Sequence, residues 1–482
     1  MEEHKIVRNK ELNIWEALIP IIALVSMLAF NVYVFEDDAI SGSNQFILLM
    51  GGAVAALVGY FNKVSLETML DTVGSNLKSV AGAILILLLV GSLSAAWLIS
   101  GVIPAMIFYG IKLINPAIFL PTAVVISAII SMATGSSWTT SATIGIALVA
   151  IGKAIGLPAG MVAGAVISGA YFGDKMSPLS DTTNLASAMA GTKLFTHIKY
   201  MAYTTVPTII ITLVVFAVLS LTYQVGDVQG TEQLLAAIST KFNITPWLFV
   251  VPLLVIVLII KKVNPVVALL AGTLLGCVAC LLTQPAILSD FATMHSTAPN
   301  YAFLMQSITQ GVAIETSNAS LNDLFSAGGM SGMLGTVWLI ICAMVFGGIM
   351  EAIGALARIS SALLSFATSI FGLFASTVAS CLAINLTASD QYLAIVVPGK
   401  MFEKAYKDKG LAPENLSRTL EDSGTVTSAL IPWNTCGAYQ SGVLGVSVSE
   451  YIGYAVFNYL SPFMTLLFAA FQIKIAQLSN KD

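Results

Sequence analysis

Acidic and hydroxyl side chains interrupt otherwise apolar stretches at two places in the first half of the chain. One interruption is 134–137, which contains Ser136 and Ser137, and the other is 173–184, which contains Asp174 and Asp181. Carboxylates, hydroxyls and the carbonyls of an unwound backbone are hard oxygen ligands, which suit Na⁺ better than a soft metal. Because burial disfavours the ionised form of a carboxyl group, such a group can also exchange the cation for a proton.

The second half contains two matching interruptions, at 387–391 and 427–435. Pro178 and Pro432 each remove a backbone donor and clash with the preceding turn, so both helices are predicted to unwind, around 177–181 and 431–434. Unwound backbone at membrane depth is tolerated only where protein buries it or where it lines a watery cavity. The candidate proton or cation carriers are Asp174, Asp181, Asp390 and Asp422, with Na⁺ assigned to the first three. The candidate ion-binding side chains are Ser136, Ser137, Ser177, Thr182, Asn184, Ser389, Asn434 and Thr435.

The charges in these segments are costly in a membrane. Asp174, Lys175 and Asp181 lie within the apolar stretch 157–190, and each central charge costs roughly 2.5–3.5 kcal/mol by insertion scales. A functional role is favoured for the four aspartates. For Glu421 and Glu351, a functional role and a structural role are equally favoured. The alternative is that some of the acids form structural ion pairs with Lys175 or Arg418.

Composition indicates whether these segments lie in water or in a lipid bilayer. Of the 482 residues, 57% are hydrophobic and only 10% are charged, against about a quarter charged in soluble domains. The chain is therefore predicted to be an all-α polytopic membrane protein. The net charge of −4 with no basic face excludes nucleic acid as a partner. No catalytic constellation is present, so we expect neither an enzyme nor a cofactor. The CxxC at Cys277 and Cys280 and the GxxxG at Gly160 and Gly164 predict helix packing.

Basic residues near helix ends indicate the cytoplasmic side of the membrane. Lys5, Arg8 and Lys10 precede the first apolar stretch, and an acidic loop at 36–38 follows it. Lysines recur at 404–409 and at 474–481. Both termini are therefore predicted to be cytoplasmic.

An internal repeat relates the two halves at a constant offset of 254 residues, which pairs Pro178 with Pro432 and Gly191 with Gly445. By the charge pattern each half begins and ends on opposite sides of the membrane, so the repeats are inverted. Inverted repeats with broken helices are typical of secondary transporters. A channel would more often present rings of equivalent residues, whereas the repeat pairs Ser136 with Asp390.

The predicted organisation follows from the repeat. Each inverted repeat has about five crossings, a re-entrant hairpin and a broken helix, which makes about ten crossings in all. The hairpin tips lie near Gly135 and Ser389 and approach the midplane from opposite sides. The predicted boundaries are cytoplasmic tails at 1–14 and 475–482, a first repeat at 15–223 (hairpin 118–153, broken helix 158–192), an external linker at 224–245, and a second repeat at 246–474 (hairpin 374–407, broken helix 412–445).

Two long motifs resemble the signature of the NhaC-type Na⁺/H⁺ antiporters. They are 173–185, and 416–425 followed by 432–435. The resemblance implies a secondary transporter of the bacterial inner (plasma) membrane that exchanges Na⁺ for H⁺ and needs no cofactor. Some members of the wider group are similar to malate/lactate exchangers, so coupling to an organic acid stays open as the alternative. Besides the lipid bilayer, a homodimer stays open as a partner.

Overall fold

A computed structural model of the protein describes residues 12–35, 42–113, 115–223, 228–261, 263–292, 298–315 and 325–478. Residues 1–11 and 479–482 of the predicted terminal tails, the acidic loop at 36–38 and residues 224–227 of the linker lie outside these residues. The helices of the first half are α1 (Ile14–Phe35), α2 (Ser43–Phe61), α3 (Leu66–Ile99), α4 (Val102–Leu113), α5 (Phe119–Thr134), α6 (Ser137–Thr140), α7 (Ile146–Ala154), α8 (Ala159–Met176), α9 (Asp181–Ala190) and α10 (Leu194–Thr222).

The second half is also mostly helical in the part described. Its helices are α11 (Val228–Lys241), α12 (Val250–Ile260), α13 (Pro265–Thr283), α14 (Pro285–Ala292), α15 (Pro299–Gln310), α16 (Gly329–Gly332), α17 (Leu334–Ala352), α18 (Ala355–Leu364), α19 (Ile370–Thr387), α20 (Gln391–Asp408), α21 (Pro413–Leu420), α22 (Thr435–Leu444), α23 (Val448–Tyr451) and α24 (Val456–Ala470). Strands β1 (Val312–Ala313) and β2 (Ser326–Ala327) form one short antiparallel pair. Turns of π-helix occupy Ser141–Gly145 and Glu421–Thr425.

The helices confirm an all-α polytopic membrane protein. Within the described ranges, seven helical segments are long and apolar enough to cross a membrane, namely α1, α2, α3, α10, α13, the α16–α17 segment and α19. Two bent pairs, Leu235–Lys241 with Pro246–Ile260 and Val448–Tyr454 with Val456–Ala470, raise the count to nine. The total of about ten crossings stays a prediction, since a broken helix such as α8–α9 is not counted among these continuous spans.

The predicted helix breaks are confirmed. Helix α8 ends at Met176 and α9 begins at Asp181, so the backbone around Pro178 is not helical. In the second half, Ile431 is extended and α22 begins at Thr435, after Pro432. The chain also breaks between α5 and α6 and between α19 and α20, as predicted for the hairpin tips.

Local structure in the two halves corresponds at the offset found in the sequence. Gly135 (φ 72°) and Ser389 (φ 60°) both adopt the left-handed backbone conformation at a helix break. Helices α9 and α22 are each ten residues long, and they end at Gly191 (φ 74°) and Gly445 (φ 63°), again in the left-handed region. The opposite orientation of the two halves across the membrane stays a prediction.

Close packing of glycine residues holds α8, the helix that precedes the break around Pro178. A Cβ added at Gly169 or Gly173 of α8 would collide with the backbone of α5, at Val124 or Ala128 respectively. Glycine permits this approach because it has no side chain. The end of α8 is therefore held against α5, close to the α5–α6 break.

The GxxxG motif lies on the same helix and also packs closely, as predicted. A Cβ added at Gly160 or Gly164 would meet the backbone of Glu450 or Tyr454. These contacts join α8 to α23 and the turn that follows it. The motif therefore has a packing role in this fold.

We expect Gly164→Leu to impair folding, because the leucine has no space against Tyr454. Overpacking of this kind typically costs about 1–3 kcal/mol. The yield and the thermal unfolding midpoint of the purified protein measure the effect. Gly335→Leu is the matched control, since Gly335 is exposed on α17 and a Cβ there meets no atom within 4 Å. Equal yield and equal unfolding midpoint for the two variants would contradict the packing role.

Candidate functional site

Asp174 connects the end of α8 to the start of α6. Its Oδ2 accepts hydrogen bonds from the backbone N–H of Ser137 (2.9 Å) and from the Ser137 hydroxyl (2.7 Å). Asp174 is only 8% exposed, and hydrogen bonds to an ionised acceptor are roughly twice as strong as neutral ones. The aspartate thereby joins the first broken helix to the first predicted hairpin.

Each of the four breaks is followed by a helix that begins with a polar N-cap. The capping side chains each accept a hydrogen bond from a backbone N–H in the first turn, and they are Ser136, Ser180, Asp390 and Asn434. Capping compensates the unpaired donors of a helix start. Helix N-termini also carry partial positive charge, which favours nearby carboxylates.

The breaks surround one cavity of about 570 Å³. Six of the twelve predicted site residues line it, namely Asp174, Asp181, Asp390, Ser136, Thr182 and Thr435. Asp174 and Asp390 are buried, whereas Asp181 is exposed. The cavity therefore presents three carboxylates and several hydroxyls, contributed by both halves of the chain.

Three other predicted residues lie directly behind this lining. Ser137 is bonded to Asp174 as described, and the carbonyl of Ser389 accepts a 2.9 Å hydrogen bond from the N–H of Thr435. The Ser389 hydroxyl is buried and has no hydrogen-bond partner among the described residues. Asn434 donates to the carbonyl and the side-chain oxygen of Asn385, both at 3.1 Å. These residues position the lining.

Ser177 and Asn184 stabilise the break between α8 and α9. The Ser177 hydroxyl accepts from the N–H of Leu179 at 3.2 Å. The Asn184 amide donates to the carbonyls of Pro178 (3.1 Å) and Ser180 (2.7 Å). Both side chains therefore satisfy the backbone of the turn that connects α8 to α9.

Asp422 lies outside the cavity lining, in a fully buried ion pair with Lys175. Its other oxygen accepts from Thr204 at 2.8 Å and from Thr465. Lys175 also donates to Ser461 at 3.0 Å. Both oxygens of Asp422 are thus engaged by donors from three other helices, α8, α10 and α24.

The chain that forms this arrangement of broken helices and carboxylates is similar in sequence to known proteins. Residues 169–473 match the profile of the Na⁺/H⁺ antiporter family. The Na(+)/H(+) antiporter NhaC of Alkalihalophilus pseudofirmus is 36% identical over 89% of this chain and 91% of its own length. The chain belongs to the Na⁺/H⁺ antiporter family.

Two further relatives of this antiporter extend the comparison. NhaC of Bacillus subtilis is 38% identical over 80% of this chain and 83% of its own. The malate-2H(+)/Na(+)-lactate antiporter of Bacillus subtilis is 35% identical over 95% of this chain and 93% of its own. The NhaC resemblance is confirmed, and at the family level the chain is an antiporter rather than an enzyme. Family and apolar helices together support a multi-pass protein of the bacterial membrane.

Several lining residues of this antiporter were missed by the sequence reasoning. Trp138 and Tyr392 each follow a tip by three positions and also line the cavity. The Trp138 ring stacks on Tyr439 at 4.0 Å between centroids, so it joins the first tip to α22. Extending each interruption by one helical turn beyond its polar residues would have included both.

Proposed function

We propose that this antiporter exchanges Na⁺ for H⁺ by alternating access, with the cavity carboxylates holding Na⁺ and H⁺ in turn. The observation that carries the proposal is the convergence of Asp174, Asp181 and Asp390 on one cavity bounded by four helix breaks. Discontinuous helices that contribute to a central site are characteristic of secondary transporters. Ser136, Thr182 and Thr435 would complete the oxygen shell around the ion.

The physical basis of the exchange is charge compensation. An ionised carboxylate away from water is costly without a compensating charge. Asp174 is nine-tenths buried and Asp390 more so, hence each gains from binding either Na⁺ or a proton. The two cations would compete for the same oxygens, and loading with one would release the other.

The site's orientation in the membrane belongs to the same proposal. Both termini would be cytoplasmic, and the two halves would form inverted repeats within the plasma membrane. Rocking of one half against the other would then expose the carboxylates to alternate sides. Asp181, which is exposed at the cavity, would be the first acid that an entering cation meets.

Coupling to an organic acid is the second candidate, and the cavity volume is large enough for it. About 570 Å³ is many times the roughly 30 Å³ that one water molecule occupies in the liquid. The cavity therefore has room for a small organic acid beside the ion. The relative named as a malate-2H(+)/Na(+)-lactate antiporter supports the same possibility.

Purified protein in liposomes loaded with a pH dye tests both candidates. A Na⁺ pulse should move protons in the wild type and much less in Asp390→Asn, because a neutral amide cannot alternate between Na⁺ and H⁺. Asp290→Asn is the control, since Asp290 forms only an exposed ion pair with Lys241 (2.9 Å). A pulse of malate or lactate that moves protons, where Na⁺ alone does not, would replace simple exchange by the coupled form. Wild-type exchange in Asp390→Asn would remove Asp390 from the site.

A further inference from the structure

Glu421 is a fully buried acid that lies outside the cavity lining. It opens the π-helical turn Glu421–Thr425, directly after α21. Neither of its carboxyl oxygens has a hydrogen-bond partner among the described residues, and the same holds for the buried Thr425 hydroxyl. Buried polar groups are normally paired, so a buried carboxyl group without such a bond is suited to bind a cation, with the Thr425 hydroxyl beside it.

The charge balance around Glu421 points to a cation. Lys175 and Asp174 lie within electrostatic range of its carboxyl group, and Arg418 and Asp422 are buried on the same segment. Asp174 holds a transported cation in the proposed function, and Lys175 is paired with Asp422, so neither group compensates the Glu421 carboxyl group. One monovalent cation at Glu421 would compensate its carboxylate directly, which matters because a buried charge without a partner is costly.

Arg418 does not compensate Glu421 by direct contact. None of its guanidinium nitrogens has a hydrogen-bond partner in the described part of the chain. The guanidinium instead lies 4.6 Å from the ring centroid of Tyr200 and 5.8 Å from that of Phe374. These aromatic faces stabilise the cation themselves, which leaves the carboxyl group of Glu421 without a partner.

The remaining titratable groups near this turn do not reverse the balance. The acids of the cavity, Asp181 on α9 and Asp390 on α20, make it more negative. The other charged side chains of α20 are exposed, and they are Lys400, Glu403, Lys404, Lys407 and Asp408. His197, on α10, is hydrogen-bonded through Nδ1 to Ser417 at 2.7 Å. The neighbouring elements also carry Glu414, Cys381, Tyr392, Tyr406 and Tyr459.

Thr182 separates Glu421 from the cavity. Thr182 lines the cavity, and its side chain lies close to the Glu421 carboxyl group. The Thr182 hydroxyl is paired with that of Ser180 at 3.0 Å. Thr182 therefore borders both the cavity and Glu421, a position suited to passing a cation inward.

We propose that Glu421, with the hydroxyls of Thr425 and Thr182, forms an inner site for a monovalent cation, Na⁺ or H⁺, that is loaded from the cavity. The inference rests on the proposed function, because the cavity is its entrance. It adds a second cation position to each transport cycle. π-Helical turns are rare and often occur at functional sites, which fits the position of Glu421 at the first residue of one.

Counting the ions on purified protein in detergent tests the inner site. Radioactive Na⁺ bound at equilibrium and protons released on Na⁺ addition are measured for the wild type, Glu421→Gln and the exposed control Glu403→Gln. If Na⁺ occupies the site, Glu421→Gln binds one Na⁺ fewer per chain. If a proton occupies it, Na⁺ binding is unchanged and one proton fewer is released. Either loss supports the site and identifies its occupant.

Equal Na⁺ and proton counts in the wild type and Glu421→Gln would overturn the inner site alone. A wild type that neither binds Na⁺ nor releases protons would overturn the proposed function together with it. Thr425→Val keeps the carboxyl group and removes one hydroxyl ligand, so it serves as a second variant if Glu421→Gln does not fold. We expect Thr425→Val to weaken the apparent cation affinity severalfold, and an unchanged affinity would count against the site.

Discussion

Asp174→Asn should reduce Na⁺-driven proton movement to the level of liposomes without protein. The substitution removes the charge that Na⁺ or H⁺ compensates, yet the amide oxygen can still accept the two hydrogen bonds from Ser137. The protein should therefore fold with a thermal unfolding midpoint close to that of the wild type. Dequenching of the pH dye after a Na⁺ pulse measures the exchange. Asp71→Asn is the control, since Asp71 is exposed on α3.

The same mechanism predicts that the apparent affinity for Na⁺ depends on pH. Because Na⁺ and H⁺ compete for the same carboxylates, the apparent Na⁺ affinity of the wild type should weaken as the pH falls.

Asp181→Asn should also cripple exchange, since this exposed acid borders the cavity. Exchange at the wild-type rate in both Asp174→Asn and Asp181→Asn would overturn the mechanism.

The helix breaks could be predicted because their causes are local in the sequence. Pro178 and Pro432 each stand beside polar residues, whereas Pro207 lies inside the continuous helix α10, so proline and polar residues together mark these breaks. The polar residues beside Gly135 and Ser389 mark the other two breaks. The offset between the halves reinforced each assignment. Burial of both breaks could be expected, because unwound backbone at membrane depth is tolerated only inside protein or beside a watery cavity. The convergence of Asp174 and Asp390 on one cavity is a result of helix packing.

The partner of Asp422 could not be predicted in the same way. Lys175 lies 247 residues away in the chain, and only the packing of α8 beside the segment after α21 brings the two together. The sequence left the choice between a carrier and a structural ion pair open. Trp138 and Tyr392 were missed for a related reason, since aromatic residues in apolar stretches are indistinguishable from core residues by type alone.

The buried pair of Lys175 and Asp422 yields the second large effect, this time on stability. Asp422→Asn should destabilise the protein by about 3–5 kcal/mol, because it leaves the Lys175 ammonium buried without a counter-charge. Both side chains are fully buried, so water cannot compensate the loss. The thermal unfolding midpoint of the purified variant, compared with that of Asp290→Asn on the surface, measures the effect.

Removing both charges separates a structural pair from an ion carrier. The double variant Lys175→Met/Asp422→Asn should recover most of the stability, because no uncompensated charge remains. The amide oxygen that replaces the carboxylate can still accept from Thr204 and Thr465. If Asp422 is structural, the folded double variant retains Na⁺-driven proton movement, since the three cavity acids are untouched. A stable double variant without exchange would instead assign Asp422 to the transported ion and extend the site beyond the cavity.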